Sequence, residues 1–113
     1  MDTNYYAENG YSLTESAIVN NIDIGDEWRE IVVLESVQNC CVTDLSMSAN
    51  SNGTFRIALN GFVLKEIYYR AKDYIPISRN LPFYIPSGMP IKIEFKTEAD
   101  DASASACIAG YLL

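Results

Sequence analysis

Apolar and polar side chains alternate along three stretches of the chain, and a period of two is the pattern of a β-strand with one buried face. From residue 41 to 49, apolar side chains fall at 41, 45, 47 and 49, while Asp44, Ser46 and Ser48 occupy the opposite face. Residues 54–60 and 91–96 repeat this alternation. We therefore predict three strands. Their inward residues are predicted to form the core: Leu45, Met47, Phe55, Ile57, Leu59, Ile91, Ile93 and Phe95.

Further extended runs bring the predicted number of strands to about eight, at residues 17–24, 30–36, 61–69 and 102–113. Short strands separated by turn signals every 8 to 12 residues or so are typical of sandwiches and barrels. With 113 residues the chain has room for one such domain. The predicted fold class is all-β: a single antiparallel, jelly-roll-like β-sandwich of residues 16–113, preceded by an extended amino-terminal arm, residues 1–15.

Two Asn-Gly dipeptides, at 52–53 and 60–61, suit the positive φ angles of tight hairpin turns. They predict a local meander of strands from about residue 41 to 70. Within it, residues 68–73 could form one helical turn, although the tyrosines there favour extended structure.

All four prolines fall in a strand-like stretch between residues 74 and 95. Proline cannot donate to a sheet ladder, so it is tolerated at strand starts, at sheet edges and in loops. Pro82 and Pro86 are therefore expected to bracket an edge segment, and residues 87–90 to form the turn before the strand at Ile91. A loop shaped for a ligand is the alternative interpretation.

The two ends of the chain carry the residues that we expect to act in assembly. The arm has no strand pattern of its own but holds Tyr5, Tyr6 and Tyr11, and tyrosine is enriched at protein interfaces. At the other end, small residues alternate from Ala102, and the sequence finishes on Tyr111, Leu112 and Leu113. These six residues are the predicted interface.

The charge balance and the cysteines exclude several classes of partner. A net charge of −7, with only eight scattered Lys and Arg, disfavours nucleic acid. Apolar runs are too short to span a bilayer, and residues 1–4 do not resemble an export signal. Cys40, Cys41 and Cys107 are expected to be reduced thiols of a protein made in a cytoplasm, with Cys41 on the core face and Cys40 at a strand start.

Candidate chemistry is sparse, and we expect neither an enzyme nor a cofactor. The absence of histidine removes the commonest general base and metal ligand. Acidic residues cluster at 23–27 and 98–101; these are expected to be solvated turns, with a Ca²⁺ site as the alternative. Trp28 directly precedes a predicted strand, and we expect a core anchor there rather than a sugar-stacking platform.

The stretch SMSANSNGTFRIALNGFVL, followed by LPFYIPSGMPIKIEFKTEADDASASACIAGYLL, resembles the small jelly-roll proteins of tailed-bacteriophage virions, of the head-decoration, head-fibre or tail-accessory type. The resemblance covers about residues 28–113. It implies an acidic structural protein, made in the host cytoplasm, that forms homo-oligomers, often trimers, and attaches to capsid or tail proteins. A carbohydrate-binding module that attaches to cell-surface glycan would share the fold and the tyrosines, and stays open as the alternative.

Overall fold

The computed structural model describes residues 12–25, 27–73 and 77–113, with the backbone alone described at residue 73 and from 77 to 83. The described chain is all-β, as predicted, and its eight strands form two antiparallel sheets. The strands are β1 (Ser12–Ile22), β2 (Arg29–Leu34), β3 (Cys40–Ala49), β4 (Gly53–Leu59), β5 (Phe62–Tyr69), β6 (Ile77–Ile85), β7 (Ile91–Thr97) and β8 (Ala102–Leu112).

Each sheet has four strands. Sheet A has the order β1-β8-β3-β6, and sheet B has the order β2-β7-β4-β5. The pairing is nested, because β4 pairs with β5, β3 with β6, β2 with β7 and β1 with β8. The first and last strands of the described chain are therefore neighbours in sheet A.

The core lies between the two sheets and contains the predicted residues. Seven of the eight are buried, and Leu59 is partly buried against the same cluster. Phe55 stands at its centre, with its ring edge-on to Tyr69 at 5.7 Å and tilted against Phe95 at 4.5 Å. In the first half of β8 the inward residues are small: Ala102, Ala104 and Ala106 are all buried. Small residues here let the central strand of sheet A lie close to sheet B.

Cys40 begins β3, as predicted, but the prediction that Cys41 lies on the core face was wrong because β3 carries a bulge. The register of β3 shifts against both neighbours between Val42 and Asp44. Against β8, Thr43 is the extra residue, whereas against β6 the extra residue lies on β6, between Asn80 and Phe83. One extra residue inverts the alternation, so Cys40 and Val42 join the core cluster together with Leu45 and Met47. Cys41 is buried but faces the outer side of sheet A.

The predicted meander is only partly correct. Strands β4 and β5 do form a hairpin, whose turn has φ of 49° at Asn60 and 84° at Gly61. Strand β3, however, belongs to the other sheet, so the chain crosses the sandwich between Ala49 and Gly53. Glycine at 53 serves packing rather than a turn, because a Cβ atom there would meet the Lys96 carbonyl and the Phe95 ring.

The proline-rich stretch contains an edge strand, as predicted. Strand β6 lies at the edge of sheet A and includes Pro82. The turn before β7 has a φ of 79° at Gly88, and the amide of Met89 donates to the Pro86 carbonyl at 3.3 Å.

Two boundaries differ from the prediction. Strand β1 begins at Ser12, so residues 12–15 belong to the sandwich and not to an arm. Strand β5 runs through Tyr69, and the only helical turn in the described chain is a short 3₁₀ turn at Ala71–Asp73.

Candidate assembly surface

Along most of β1, β3 and β8, the outer face of sheet A is made of small, uncharged side chains. We call it the small-residue face and define it by these outward residues of β1, β3 and β8: Thr14, Ser16, Ile18, Ser46, Ser48, Ser103, Ser105, Cys107 and Ala109. Asp44 is the one acidic residue that the central strands add to it. Strand β8 places its small residues between two strands whose outward side chains are no larger than isoleucine, so this side of the sandwich is shallow.

A groove of about 540 Å³ runs along this face. Its lining includes Ser16, Ser46, Ser105 and Cys107, and Ile18 forms one wall. Ile18 is 72% exposed, which is high for a large apolar side chain in the middle of a strand. The groove thus offers polar hydroxyl groups beside an uncovered aliphatic side chain.

Hydrogen bonds between hydroxyl groups keep the small-residue face ordered without charge. The hydroxyls of Ser48 and Ser105 lie 3.0 Å apart across the β3–β8 pair. The Ser103 hydroxyl donates to the side-chain oxygen of Asn20 at 2.7 Å. Because these groups partly satisfy one another, covering the face with another protein leaves few hydrogen bonds unmade.

The outer face of sheet B carries ion pairs on β2, β4 and β7, although its edge strand β5 exposes apolar side chains such as Val63 and Tyr68. Arg56 donates to Glu94 at 3.1 Å in the centre of the sheet, and Lys92 lies 3.5 Å from Glu30 towards its edge. The guanidinium of Arg56 stacks over the Trp28 ring at 4.2 Å. Trp28 is therefore half-buried on this charged face, and its predicted role as a core anchor was wrong. Because both side chains of such an ion pair are charged, the pair favours a surface that stays in contact with water.

Two tyrosines flank Cys41 on the outer side of sheet A. The register aligns Tyr111 on one side of Cys41 and Tyr84 on the other. Tyr84 is about half exposed and Tyr111 is half-buried. Alternate strands of a sheet lie roughly 9.6 Å apart, so the two rings stand in one row on the same face.

The predicted interface residues are placed only in part. Tyr111 lies on the outer side of sheet A, at the end of the small-residue face. Leu112 packs against the core, and the amide of Leu113 donates to the Asn39 carbonyl at 2.9 Å. Tyr5, Tyr6 and Tyr11 lie outside the described residues. The candidate surface that the structure offers is thus a face of sheet A, with Tyr111 at its end.

None of the three cysteines, which all lie within the described residues, forms a disulfide. Burial, and next the neighbouring Cys41, raise the pKa of the Cys40 thiol, which keeps it protonated and unreactive. Cys107 is aligned with Ser46, which lies far along β3 from Cys40 and Cys41. The distance from Cys107 to either of these cysteines is therefore longer than a disulfide bond can span.

The acidic loops meet each other at one end of the sandwich. The amide of Ile24 donates to Asp100 at 3.0 Å, and the amide of Asp101 donates to Asp23 at 3.1 Å. These carboxylates therefore serve as caps for backbone amides of the opposite loop. Across the described residues no set of three metal-binding side chains comes together.

No known family model matches the chain, and no curated protein matches it. The described part of the chain also contains no helix that is long and apolar enough to cross a membrane.

Sequence reasoning found the small residues of β8 but not the face they form. The serines at 46 and 48 and at 103 and 105 were visible as the polar half of two alternations. Small residues on both faces of β8 predict close approach of another sheet or subunit, but the sequence does not show that Ser46 and Ser48 share the outer face with them. The informative signal was the absence of charge from those positions, combined with Ile18 on a neighbouring strand.

Proposed function

We propose that this protein is a non-enzymatic structural subunit of a larger particle, a virion of the tailed-bacteriophage type. It acts by associating with copies of itself and by attaching to capsid or tail proteins. The nested strand pairing supports a jelly-roll winding of the sandwich, in keeping with the resemblance that suggests such a particle.

The observation that carries the proposal is the small-residue face, with its exposed Ile18. The protein has a net charge of −7, so copies repel one another unless they meet through an uncharged surface. Depletion of charge marks the buried centre of protein interfaces. Sheet B carries ion pairs on its outer face, so we assign the small-residue face of sheet A, and not the charged part of sheet B, to the neighbouring protein.

The mass of the purified protein in solution tests the proposal. We expect light scattering to give more than one chain at micromolar concentration; the resemblance implies three. Replacing Ile18→Glu should reduce the mass to that of one chain, because a carboxylate would lose its water in the interface. The matched control is Val63→Glu, at a half-exposed position on an edge strand of sheet B, which should keep the wild-type mass.

A single-chain mass for the wild type, or an equal effect of the two substitutions, would contradict the proposal. Circular dichroism of each variant confirms that the sandwich has formed, and both positions are exposed enough to accept a charge without unfolding.

A second function, carbohydrate binding, is favoured by one specific observation: the row of Tyr84 and Tyr111. Aromatic faces stack on sugar rings, and Asp44 lies farther along the same side of sheet A as a hydrogen-bond acceptor. A glycan array is the direct test. A monomeric protein that binds a glycan and loses binding on Tyr84→Ala would replace the assembly function with this one.

A further inference from the structure

The free edge of β1 is the least protected of the four sheet edges in the described chain. Edge strands expose unpaired backbone groups, and proteins protect them with charges, prolines, bulges or short length. Strand β2 has only six residues, two of them charged, and a register shift at Ile31. Strand β6 contains Pro82, and β5 has a register shift and carries Lys65 and Glu66.

Strand β1 has almost none of these features over most of its length. Its register with β8 is regular for eight consecutive residues, from Ser12 to Val19. Glu15 is the single charged residue in that stretch, and no proline interrupts it. Such a straight and nearly uncharged edge is a template for another strand.

We propose that β1 is an interface for a second copy of this chain, in which the two β1 strands pair antiparallel about a two-fold axis. The pairing joins two sheets A into one sheet of eight strands. The proposal rests on the proposed function, since it specifies how copies associate, and it requires an even number of chains where the resemblance implies three.

The symmetry restricts the register. A two-fold axis perpendicular to a sheet places one residue opposite the same residue of the second copy, because facing side chains in an antiparallel pair lie on the same side. With Ser16 at the axis, the regular part of β1 is used from Leu13 to Val19. Placing Glu15 there would instead set two carboxylates against each other, which is destabilising.

The pairs that this register creates are complementary. Leu13 faces Val19 of the second copy on the inner side, where both side chains already pack against the core. Thr14 faces Ile18 of the second copy on the outer side, which covers the exposed isoleucine. Glu15 faces Ala17 of the second copy. No like charges are opposed, and β-branched pairs are among the more favourable ones.

Strand β5 is another edge strand with exposed apolar side chains, among them Phe62 and Val63. Its charged residues do not offer the same complementarity to a second copy. At the middle of β5, a two-fold axis at Lys65 would oppose two lysines, and one at Glu66 would oppose two carboxylates. Strand β5 also has a register shift in its middle, whereas β1 is regular from Ser12 to Val19, so β1 is the edge better suited to continuous pairing with a second copy.

The paired arrangement also has a consequence for the small-residue face. Both copies keep their outer faces on the same side of the joined sheet, so the two grooves lie side by side on one surface. A particle protein then meets a continuous uncharged surface of twice the width.

Cysteine crosslinking tests the register. Ser16 is aligned with Cys107 of its own chain, so the experiment uses full-length protein with Cys107→Ser to prevent a disulfide within the chain. In that background Ser16→Cys should form a disulfide-linked dimer under mild oxidation, because directly opposed Cβ atoms lie roughly 5 Å apart. The control Ser12→Cys lies on the same strand and face, but about 26 Å from its counterpart in this register.

We expect Ser16→Cys to crosslink at least roughly tenfold faster than Ser12→Cys, since only the former brings the sulfurs within bonding distance. An oligomer in which both crosslink at the same rate, or a trimeric mass without a Ser16 crosslink, would overturn the β1 pairing and leave the proposed function standing. A single-chain mass would overturn both. If deleting residues 2–11 turned a monomer into a dimer, the amino-terminal segment and not a second copy would be the occupant of this edge.

Discussion

At the scale of single residues, two glycines are required where strands approach too closely for a side chain. A Cβ atom at Gly110 would overlap the backbone of Cys41, and one at Gly53 would overlap that of Lys96. Neither glycine has a positive φ. At both positions glycine is therefore required by close packing between neighbouring strands. At position 61 glycine is favoured instead by the backbone conformation of the hairpin turn.

We predict that Gly110→Ala destabilises the protein by about 3 kcal/mol, at the upper end of what overpacking costs. The clash is with backbone atoms of β3, which cannot rotate away as a side chain can. Urea denaturation measures the change in the free energy of unfolding.

The control for that measurement is Gly61→Asn. It changes a glycine at a φ of 84° with open space around it, and asparagine tolerates the left-handed region. A loss for Gly110→Ala no larger than for this control would show that β3 and β8 can separate to admit a methyl group.

At the scale of elements, the bulge in β3 determines which residues enter the core. Thr43 is the extra residue, and its hydroxyl contacts the Ala109 carbonyl at 3.4 Å and the Asp44 carboxylate at 3.0 Å. Upstream of it, Cys40 and Val42 point inward; downstream, Leu45 and Met47 do. Without the bulge, only one of these pairs could face the core.

Deleting Thr43 should therefore destabilise the protein by about 3 kcal/mol or more, because a continuous alternation would turn Val42 out of the core. Deleting Val37, which is 94% exposed in the loop between β2 and β3, is the matched control and should cost far less. Thermal unfolding followed by circular dichroism compares the two. Equal losses would mean that β3 tolerates either register.

The bulge also shows where prediction from sequence reached its limit. Strands β4 and β7 follow a strict period of two, so their boundaries and inward residues could be predicted directly. Strand β3 has the same period on each side of Thr43, but with opposite phase, and alternation alone gives no sign of an inserted residue. Strand β1 has few apolar residues, so its first four positions looked like part of an arm; its pairing with β8, ninety or so residues away in sequence, determines its strand structure.

The candidate surface was still harder to predict. Assignment of strands to sheets decides which serines share a face, and those of β3 and β8 are separated by more than 50 residues in sequence. The Asn52-Gly53 signal suggested that β3 and β4 were neighbours in one sheet. The chain instead crosses to sheet B there, so that β8 takes the place beside β3.

At the scale of the whole molecule, the sandwich is complete from Ser12 onward within the described chain. The core residues all lie in the strands, and β1 is held to β8 along nearly its whole length. We therefore predict that deleting residues 2–11 changes the melting temperature by less than about 2 °C, since no described core contact is lost.

The same deletion should abolish incorporation into the particle if Tyr5, Tyr6 and Tyr11 make that attachment. Calorimetry measures the first effect, and co-purification with the particle measures the second. The control replaces residues 2–11 with a Gly-Ser segment of equal length, which separates the loss of these side chains from the loss of chain. Normal incorporation of the truncated protein would rule out an attachment role for this segment.

The central position of β8 has a consequence for the order of events during synthesis. Strands β1 and β3 are both made early, yet the strand that lies between them is the last of the eight to leave the ribosome. Until then sheet A has no middle strand and β1 has no partner within it. Pairings that span most of the chain close slowly, because their loop entropy is lost before the contacts form. Until β8 has emerged, the nascent protein therefore has to keep its early strands apart from those of its neighbours on the same messenger.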